Sequence, residues 1–206
     1  MTEHYYTSAP TSRHDVKRLA IEVEGLRLLF DTDAGVFSRG ELDAGTELMI
    51  RALPPLAGSV LDLGCGWGPL GLFVKARNPG IELTCADINE RAAALTSANA
   101  ALNGLACRVL QSDGFAAIEG RFDAVLTNPP IRAGKKVIYS LFEQARAHLT
   151  PGGALYIVIQ TKQGADSALR FLESAFGCAR IIARGGGFKV IEARAQEAGH
   201  AGASEV

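Results

Sequence analysis

The most constraining feature of the sequence is a glycine-rich segment that joins two apolar runs. Val60–Leu63 is predicted to be a strand, and glycine then stands at every second position, as Gly64, Gly66 and Gly68. Glycine has no Cβ, so this segment can adopt positive φ values and can let a flat ligand approach the backbone. Pro69 suits the first turn of a helix, where its missing N–H would have no partner in any case. The segment therefore predicts a strand, a tight turn and a helix whose first N–H groups are free to bind a ligand.

The spacing of these glycines also matches a dinucleotide-binding fingerprint, Gly66-x-Gly68-x-x-Gly71, which is a weak signal by itself. It gains weight because it follows a predicted strand and because Asp87 lies 19 residues beyond Gly68, at the end of the apolar run 81–86. A carboxylate at that position can accept hydrogen bonds from both hydroxyls of a ribose. The sequence therefore predicts a cofactor that contains a nucleoside.

Composition limits the class of protein. The chain has 206 residues, of which 48% are hydrophobic, which is enough for one domain with a sizeable core. A net charge of −1 gives no strong overall field, so nucleic acid would have to bind at a local basic patch. No apolar run approaches the ~20 residues of a membrane span, and the start of the chain lacks the regions of a signal peptide. We therefore expect a cytoplasmic protein without a membrane segment, and its four cysteines, which form no Cys-x-x-Cys pair, predict no metal site.

An N-terminal piece, residues 1–58, differs in pattern from the rest of the chain. A polar arm is followed by alternating apolar residues across a Glu-Gly turn, which predict a hairpin over residues 19–30. A helix over residues 43–53 is predicted next, with Asp43 as its N-cap and two prolines after it.

Residues 59–196 alternate strands and helices, and residues 197–206 are predicted to be a disordered tail. This alternation predicts an α/β fold with a mainly parallel sheet covered by helices on both faces. The last two strands break the alternation and predict one antiparallel edge strand. Strands are predicted at 60–63, 81–87, 107–111, 122–127, 154–159, 179–183 and 188–193, and helices from Pro69 and at 90–103, 136–149 and 164–176.

A diproline turn, Asn128-Pro129-Pro130-Ile131, stands where the strand 122–127 ends. Two successive prolines fix φ and force the preceding residues into extended conformations. Neither proline can donate a hydrogen bond, so the turn presents two acceptors, the Asn128 side-chain oxygen and the Pro129 carbonyl. Such a pair suits a planar NH₂ group, whose lone pair it would direct at an electrophile. Ligands of an open parallel sheet bind beyond the carboxyl ends of its strands, so this turn, the glycine loop, Asp87 and Asp113 are predicted to share one rim.

Together these motifs resemble the class I S-adenosylmethionine-dependent methyltransferases, which have a Rossmann-like fold with a seven-stranded sheet. More narrowly, the segments 35–38, 128–135 and 158–165 resemble the methyltransferase small domain family. That family includes 16S ribosomal RNA guanine-2-amino methyltransferases and their short stand-alone relatives. The resemblance runs from about Tyr5 to Ala193.

The resemblance implies roles for individual residues. The acidic residue and glycine loop at 62–68 would hold the methionine end of S-adenosylmethionine, Asp87 the ribose, and residues 88 and 113–115 the adenine. Phe37 would cap the cofactor from the N-terminal piece. The implied cofactor-binding residues are Phe37, Asp62, Gly64, Cys65, Gly66, Gly68, Asp87, Ile88, Asp113, Gly114 and Asn128, and the implied catalytic residues are Asn128, Pro129, Pro130 and Ile131.

The implied substrate is the guanine 2-amino group of 16S ribosomal RNA, free or in the small ribosomal subunit. Relatives that methylate adenine or glutamine commonly have an aromatic residue where Ile131 stands, and an aliphatic residue is found in the guanine-methylating branch. A target base in folded RNA must be single-stranded or extruded to reach such a pocket. Four cations on the same rim are predicted to contact phosphates, namely Arg132, Lys135, Lys136 and Lys162.

Three other functions are each compatible with part of this pattern. An NAD-dependent oxidoreductase would share the glycine fingerprint and Asp87, but it would leave Asp62 and the diproline turn unexplained. A non-catalytic ribosome-assembly factor that keeps the fold only to bind RNA is a second alternative, against which the intact diproline turn argues. Methylation of adenine, of a protein glutamine or of a small molecule is a third.

Overall fold

The computed structural model describes residues 12–195, without the side chains of Arg132 and Ala195. The predicted polar arm lies mostly, and the predicted disordered tail wholly, outside these residues. In chain order the elements are β1 (Lys17–Val23), β2 (Leu26–Thr32), α1 (Ala44–Ala52), β3 (Ser59–Leu63), α2 (Pro69–Arg77), β4 (Glu82–Asp87), α3 (Glu90–Leu102), β5 (Arg108–Gln111), β6 (Phe122–Thr127), α4 (Lys135–Ala147), β7 (Leu149–Gln160), α5 (Ala165–Phe176), β8 (Gly177–Gly185) and β9 (Phe188–Ala195).

Seven strands form one sheet in the order β5-β4-β3-β6-β7-β9-β8. All neighbours from β5 to β7 are parallel, and β9 runs antiparallel to both β7 and β8. The predicted α/β fold with a mainly parallel sheet is therefore confirmed, and its antiparallel strand lies next to the outermost strand, β8. The strand order reverses between β3 and β6, and such a switch point is where open parallel sheets bind ligands.

The sheet separates two hydrophobic cores because successive side chains of a strand point to opposite faces. In β7, Tyr156 and Val158 belong to the core on one face, and Leu155 and Ile157 belong to the core on the other. These four side chains are all buried. The central strands are therefore fully covered, as their near-continuous apolar sequences predict.

The N-terminal hairpin of β1 and β2 packs against α2 and α3 and does not join the main sheet. The Phe30 ring meets the Trp67 ring edge-on at a centroid distance of 5.0 Å. The Asn99 side chain of α3 accepts from the Asp31 N–H at 2.7 Å and donates to the Asp31 carbonyl at 2.9 Å, as a neighbouring strand would. Residues before and after position 58 thus share one core, and the domain boundary at 58 stays a prediction.

One boundary differs clearly from the sequence prediction. The helix predicted to continue to Leu149 ends at Ala147, and Leu149 instead pairs with Phe122 as the first residue of β7. The Pro-Gly-Gly segment that predicted a break lies inside β7, opposite a register shift between Phe122 and Ala124. Proline and glycine are tolerated in a strand at such a bulge.

Candidate functional site

A cavity opens at the carboxyl ends of β3, β4 and β6. Its volume of about 450 Å³ is typical of sites for small molecules. It is lined by Phe37, Ser38, Asp43, Thr46, Asp62, Leu63, Gly64, Cys65, Gly66, Trp67, Pro69, Leu70, Asp87, Ile88, Ala92, Ser112, Asp113, Gly114, Asn128, Pro129, Pro130, Ile131, Ala133, Val137, Leu141, Gln160, Gln163 and Phe188.

The glycine loop forms the floor of this cavity. Gly64 and Gly66 have φ values of +74° and +59°, and a Cβ built on either would meet no atom within 4 Å. Both face open space that a side chain would occupy. Gly68, by contrast, does not line the cavity, and a Cβ there would lie 3.1 Å from side-chain atoms of Leu72 and Thr96. Gly68 therefore allows α2 to begin close against α3.

Two carboxylates bind the backbone of the glycine loop and of the start of α2. Asp62 is buried and accepts a hydrogen bond from the Gly71 N–H at 2.8 Å. Burial raises the pKa of Asp62 to about 7, with a further upward contribution from the charge of Asp87. Asp87 accepts from the Gly66 N–H at 2.8 Å and from the Asn89 N–H at 2.9 Å, and burial raises its pKa as well. The cavity thus carries two acidic groups that are costly to ionise without a partner.

A loop between β2 and α1 covers one side of the cavity. The Trp67 Nε1–H donates to the Phe37 carbonyl at 2.9 Å, and the Asn89 amide donates to the Gly35 carbonyl at 2.8 Å. Arg91 donates to the Ala34 carbonyl at 2.6 Å. These bonds hold the backbone of the loop, and the Phe37 side chain, which is 38% exposed, lies at the cavity wall.

The opposite side is formed by Ile88 and the turn after β5. The Ser112 hydroxyl donates to the Gly114 carbonyl at 2.9 Å and shapes this turn. A Cβ on Gly114 would lie 2.8 Å from a methyl group of Leu141, which would have to shift, and the φ of +54° also favours glycine at this position. Asp113 lies between these residues on the cavity wall.

The diproline turn closes the cavity beside the glycine loop. The Asn128 amide nitrogen donates to the Asp43 carboxylate at 2.9 Å and to the Thr46 hydroxyl at 3.0 Å. The Pro130 carbonyl accepts from the Ala133 N–H at 2.8 Å in a short 3₁₀ turn. No group in the described part of the chain donates a hydrogen bond to the Asn128 side-chain oxygen or to the Pro129 carbonyl. Both acceptors are therefore available to a ligand.

The structure brings together all the predicted cofactor-binding and catalytic residues except Gly68. Lys135, Lys136 and Lys162 are exposed and lie outside the cavity lining, while the Arg132 side chain is outside the described groups. Lys135 contacts α5, with its Nζ 3.5 Å from the Ser167 hydroxyl.

Sequence reasoning missed several cavity residues, and five of them come from α1 and its cap, from the end of β7 and the turn after it, and from the start of β9. Asp43 was recognised only as a helix cap, although its place in the cavity follows from how α1 docks. Gln160 ends β7 and Gln163 follows it at the same rim, which a carboxyl-end argument could have included. These five residues are Asp43, Thr46, Gln160, Gln163 and Phe188.

Metal clusters and membrane helices are both absent from the described part of the chain. Over residues 12–195, no cluster of three His, Cys, Asp or Glu residues has the geometry to hold a metal ion. No helix within the same range has the length and apolar character needed to cross a bilayer.

Sequence comparison gives relatives of two lengths. The chain is 39% identical over 199 residues to "Uncharacterized protein YbxB" of Bacillus subtilis (strain 168), covering 94% of this chain and 99% of that protein. It is 40% identical over 168 residues to "Ribosomal RNA small subunit methyltransferase C" of Pasteurella multocida (strain Pm70), covering 78% of this chain and 49% of that protein. The chain thus spans about half the length of this second relative.

Comparison with solved structures also finds methyltransferases. The Thermus thermophilus 16S rRNA N2 G1207 methyltransferase (RsmC), solved with AdoMet and guanosine, superposes with a TM-score of 0.80 at 26% identity, covering 91% of this chain and 52% of that chain. A ribosomal protein L11 methylase from Lactobacillus delbrueckii subsp. bulgaricus superposes with a TM-score of 0.62 at 20% identity, covering 74% of this chain and 77% of that chain. At that identity the second match shows a shared fold alone.

The family comparison covers the cavity as a whole. Residues 27–192 match the family model described as methyltransferase small domain, which takes in the glycine loop, the diproline turn and the first part of β9. This match extends over more than half of the chain and includes nearly all of the two cores. The chain therefore belongs to the methyltransferase small domain family.

Proposed function

We propose that this protein is an S-adenosylmethionine-dependent N-methyltransferase whose substrate is the 2-amino group of a guanine in 16S ribosomal RNA. One observation carries the proposal: two acceptors that no described donor bonds, the Asn128 oxygen and the Pro129 carbonyl, line the same cavity as the glycine loop and Asp87. The relatives named as small-subunit ribosomal RNA methyltransferases support it.

The donor set on the cavity wall fits S-adenosylmethionine. Gly64 and Gly66 leave open the space in which a side chain would exclude a ligand. Asp62 offers a buried carboxylate to the cofactor ammonium, and Asp87 offers one to the ribose hydroxyls. Burial raises the pKa of both acids, and each of these partners would stabilise the ionised form. When bound, the cofactor supplies an electrophilic methyl group on a sulfonium.

The adenine end is assigned to the turn after β5. Asp113 accepts from the adenine amino group, while Ile88 and Gly114 provide the apolar walls. Phe37 covers the cofactor from the N-terminal loop, which Trp67 holds in place. The other members of the predicted cofactor set, Cys65 and Asn128, complete the lining, and Gly68 acts by letting α2 begin where it does.

The acceptors at the diproline turn orient the substrate amine. Hydrogen bonds from both amine protons to the Asn128 oxygen and the Pro129 carbonyl leave the nitrogen lone pair directed into the cavity. Orientation of this kind can contribute ~7–11 kcal/mol to lowering a reaction barrier. The same acceptors stabilise the positive charge that develops on the nitrogen as the methyl group is transferred.

Two apolar side chains flank this point, Ile131 of the turn and Phe188 of β9. A flat base can lie against the Phe188 ring, because ring faces accept stacked bases of any sequence. The ring is held by its contact with α1, where a Cβ on Gly45 would lie only 2.8 Å from it. An aromatic surface is therefore present although the position after the prolines is aliphatic.

Cations on the rim supply an RNA surface. Lys135 and Lys162 are exposed beside the cavity mouth, and the Lys135 side chain passes Gly164, the residue that follows the turn carrying Lys162. Lys136 adds a third charge, and Arg132 a fourth by sequence. Cations placed next to a base pocket contact the adjoining phosphates and supply affinity without base specificity. A ribosomal substrate also agrees with the predicted cytoplasmic location.

Methyl transfer from tritiated S-adenosylmethionine to 16S ribosomal RNA, free or in small subunits from a deletion strain, tests the proposal. We expect labelling by the wild type, N2-methylguanosine in the mass spectrum of the digested RNA, and a loss of labelling in Asn128→Ala. Labelled adenine or protein glutamine would move the substrate to another amine. No transfer to any of these by a folded protein that binds the cofactor would favour the assembly-factor alternative and refute the proposal.

A further inference from the structure

The orientation of the Asn128 amide is fixed by chemistry as well as by shape. The oxygen and nitrogen of an amide have nearly the same size, so their assignment depends on their hydrogen-bond partners. A carboxylate can only accept, and the Asp43 carboxylate lies 2.9 Å from the Asn128 amide. The amide nitrogen must therefore face Asp43, and the amide oxygen is turned away from it.

Thr46 reinforces this choice. The Thr46 hydroxyl donates its proton to Asp43 Oδ2 at 3.2 Å. A lone pair on the Thr46 oxygen therefore accepts a hydrogen bond from the Asn128 amide nitrogen at 3.0 Å. Both protons of the Asn128 NH₂ group thus have acceptors, one charged and one neutral. Hydrogen bonds to charged groups are about twice as strong as neutral ones, so Asp43 is the stronger of the two anchors.

The anchor is rigid because the same carboxylate caps α1. Asp43 Oδ2 also accepts from the Thr46 N–H at 2.8 Å, and Thr46 is only 5% exposed. Gly45, between them, is packed against the Phe188 ring. The contact joins parts of the chain 85 residues apart, so the N-terminal helix sets the conformation of a turn in the main sheet.

We propose that Asp43 and Thr46 are positioning residues that hold the Asn128 amide with its oxygen directed at the substrate amine. This inference rests on the proposed function. Without the carboxylate, the amide can rotate by half a turn and present its NH₂ group to the substrate NH₂ group, which places two donors opposite each other. The N-terminal segment thereby contributes to amine recognition as well as to the fold.

Two substitutions of Asp43 separate positioning from helix capping. Asn and Ser cap helices about as well as Asp, so neither Asp43→Asn nor Asp43→Ser removes the cap. Asn keeps an acceptor oxygen at the reach of the carboxylate, whereas the Ser hydroxyl is too short to reach Asn128. We expect Asp43→Asn to retain most of the kcat and Asp43→Ser to lose about 100-fold, with cofactor Kd and Tm alike in the two.

Two further variants complete the kinetic test. Glu47→Gln, on the exposed side of the same helix, is the matched control and should leave kcat unchanged, because within residues 12–195 the Glu47 carboxylate pairs only with Arg51, at the protein surface. On the residual activity of Asn128→Ala, Asp43→Ser should cause no further loss, since residues that act through one another are not additive. An equal kcat for Asp43→Ser and Asp43→Asn, or a full additional loss in the double variant, would overturn the inference.

A second readout does not need catalysis. The side-chain NH₂ resonances of Asn128, assigned by their disappearance in Asn128→Ala, should exchange slowly with water in the wild type and in Asp43→Asn and quickly in Asp43→Ser. Unchanged exchange in Asp43→Ser would refute the anchor. If the wild type methylates no substrate, the proposed function fails, and the exchange measurement still decides whether Asp43 holds the amide.

Discussion

The buried carboxylate of Asp62 predicts how cofactor binding depends on pH. In the free protein, burial raises the pKa of Asp62 to about 7, so the group is largely protonated below that pH. Only the carboxylate can pair with the ammonium of S-adenosylmethionine, and that pairing lowers the pKa of Asp62 in the complex. Affinity is therefore present above the pKa of the free protein and is lost as the pH falls through it.

The magnitude follows from the fraction of Asp62 that is ionised. With a pKa of about 7, this fraction falls from ~0.9 at about pH 8 to ~0.1 at about pH 6, so the Kd for S-adenosylmethionine should rise about tenfold over this interval, or ~1.4 kcal/mol. Asp87, whose pKa is also raised by burial, acts in the same direction.

Isothermal titration calorimetry across this pH range is the assay. We expect the Kd of the wild type for S-adenosylmethionine to rise as the pH falls. Asp62→Asn should have a higher Kd that depends much less on pH. Asp123→Asn is the control, because Asp123 lies at the other end of β6 and its pKa is lowered by the Ser59 N–H. A pH-independent wild-type Kd, or a full slope in Asp62→Asn, would show that Asp62 does not bind the ammonium.

Three other predictions concern the loop, its support and the rim. Gly66→Ala places a Cβ in the cavity at a φ of +59° and should weaken cofactor binding and cost about 1–2 kcal/mol of stability, whereas Gly80→Ala, at an open position with ordinary φ, should change neither in calorimetry and urea denaturation. Gly71→Ala brings a Cβ to 2.9 Å from the Asp62 carboxylate and should lower the free energy of unfolding by about 1–3 kcal/mol; an unchanged urea midpoint would contradict this. Replacing Lys135 and Lys162 by Ala should reduce the slope of log K against log salt for RNA binding by ~0.7 for each phosphate that is no longer neutralised. Filter binding measures this slope, and replacement of the exposed Arg108 of β5 is the control. An unchanged slope would remove these lysines from the RNA surface.

The sheet and the glycine loop could be predicted because their causes are local. Strand and helix periods, the glycines after Val60–Leu63 and the stop at Gly104 are properties of short segments. The rule that ligands bind beyond the carboxyl ends of parallel strands then placed Asp87 and Asn128 on one rim. The cavity contains both, as that rule requires.

The contact between Asp43 and Asn128 could not be predicted in this way. It depends on how α1 docks against the sheet, which is decided by packing between residues far apart in sequence. Phe188 reaches the cavity because β9 runs antiparallel, so the beginning of this strand lies at the rim where the other strands end. The start of β7 was misplaced for a different reason, since a bulge can hold the Pro-Gly-Gly segment that ordinarily ends an element.

A crystal structure with S-adenosylmethionine and guanosine would show whether Asn128 and Pro129 place an amine in line with the cofactor methyl group. We expect the guanine 2-amino nitrogen to donate to the Asn128 oxygen and the Pro129 carbonyl, with the methyl carbon about 3–3.5 Å from that nitrogen. A methyl group that points away from Asn128, or that protein separates from it, would show that the diproline turn does not orient the amine for transfer.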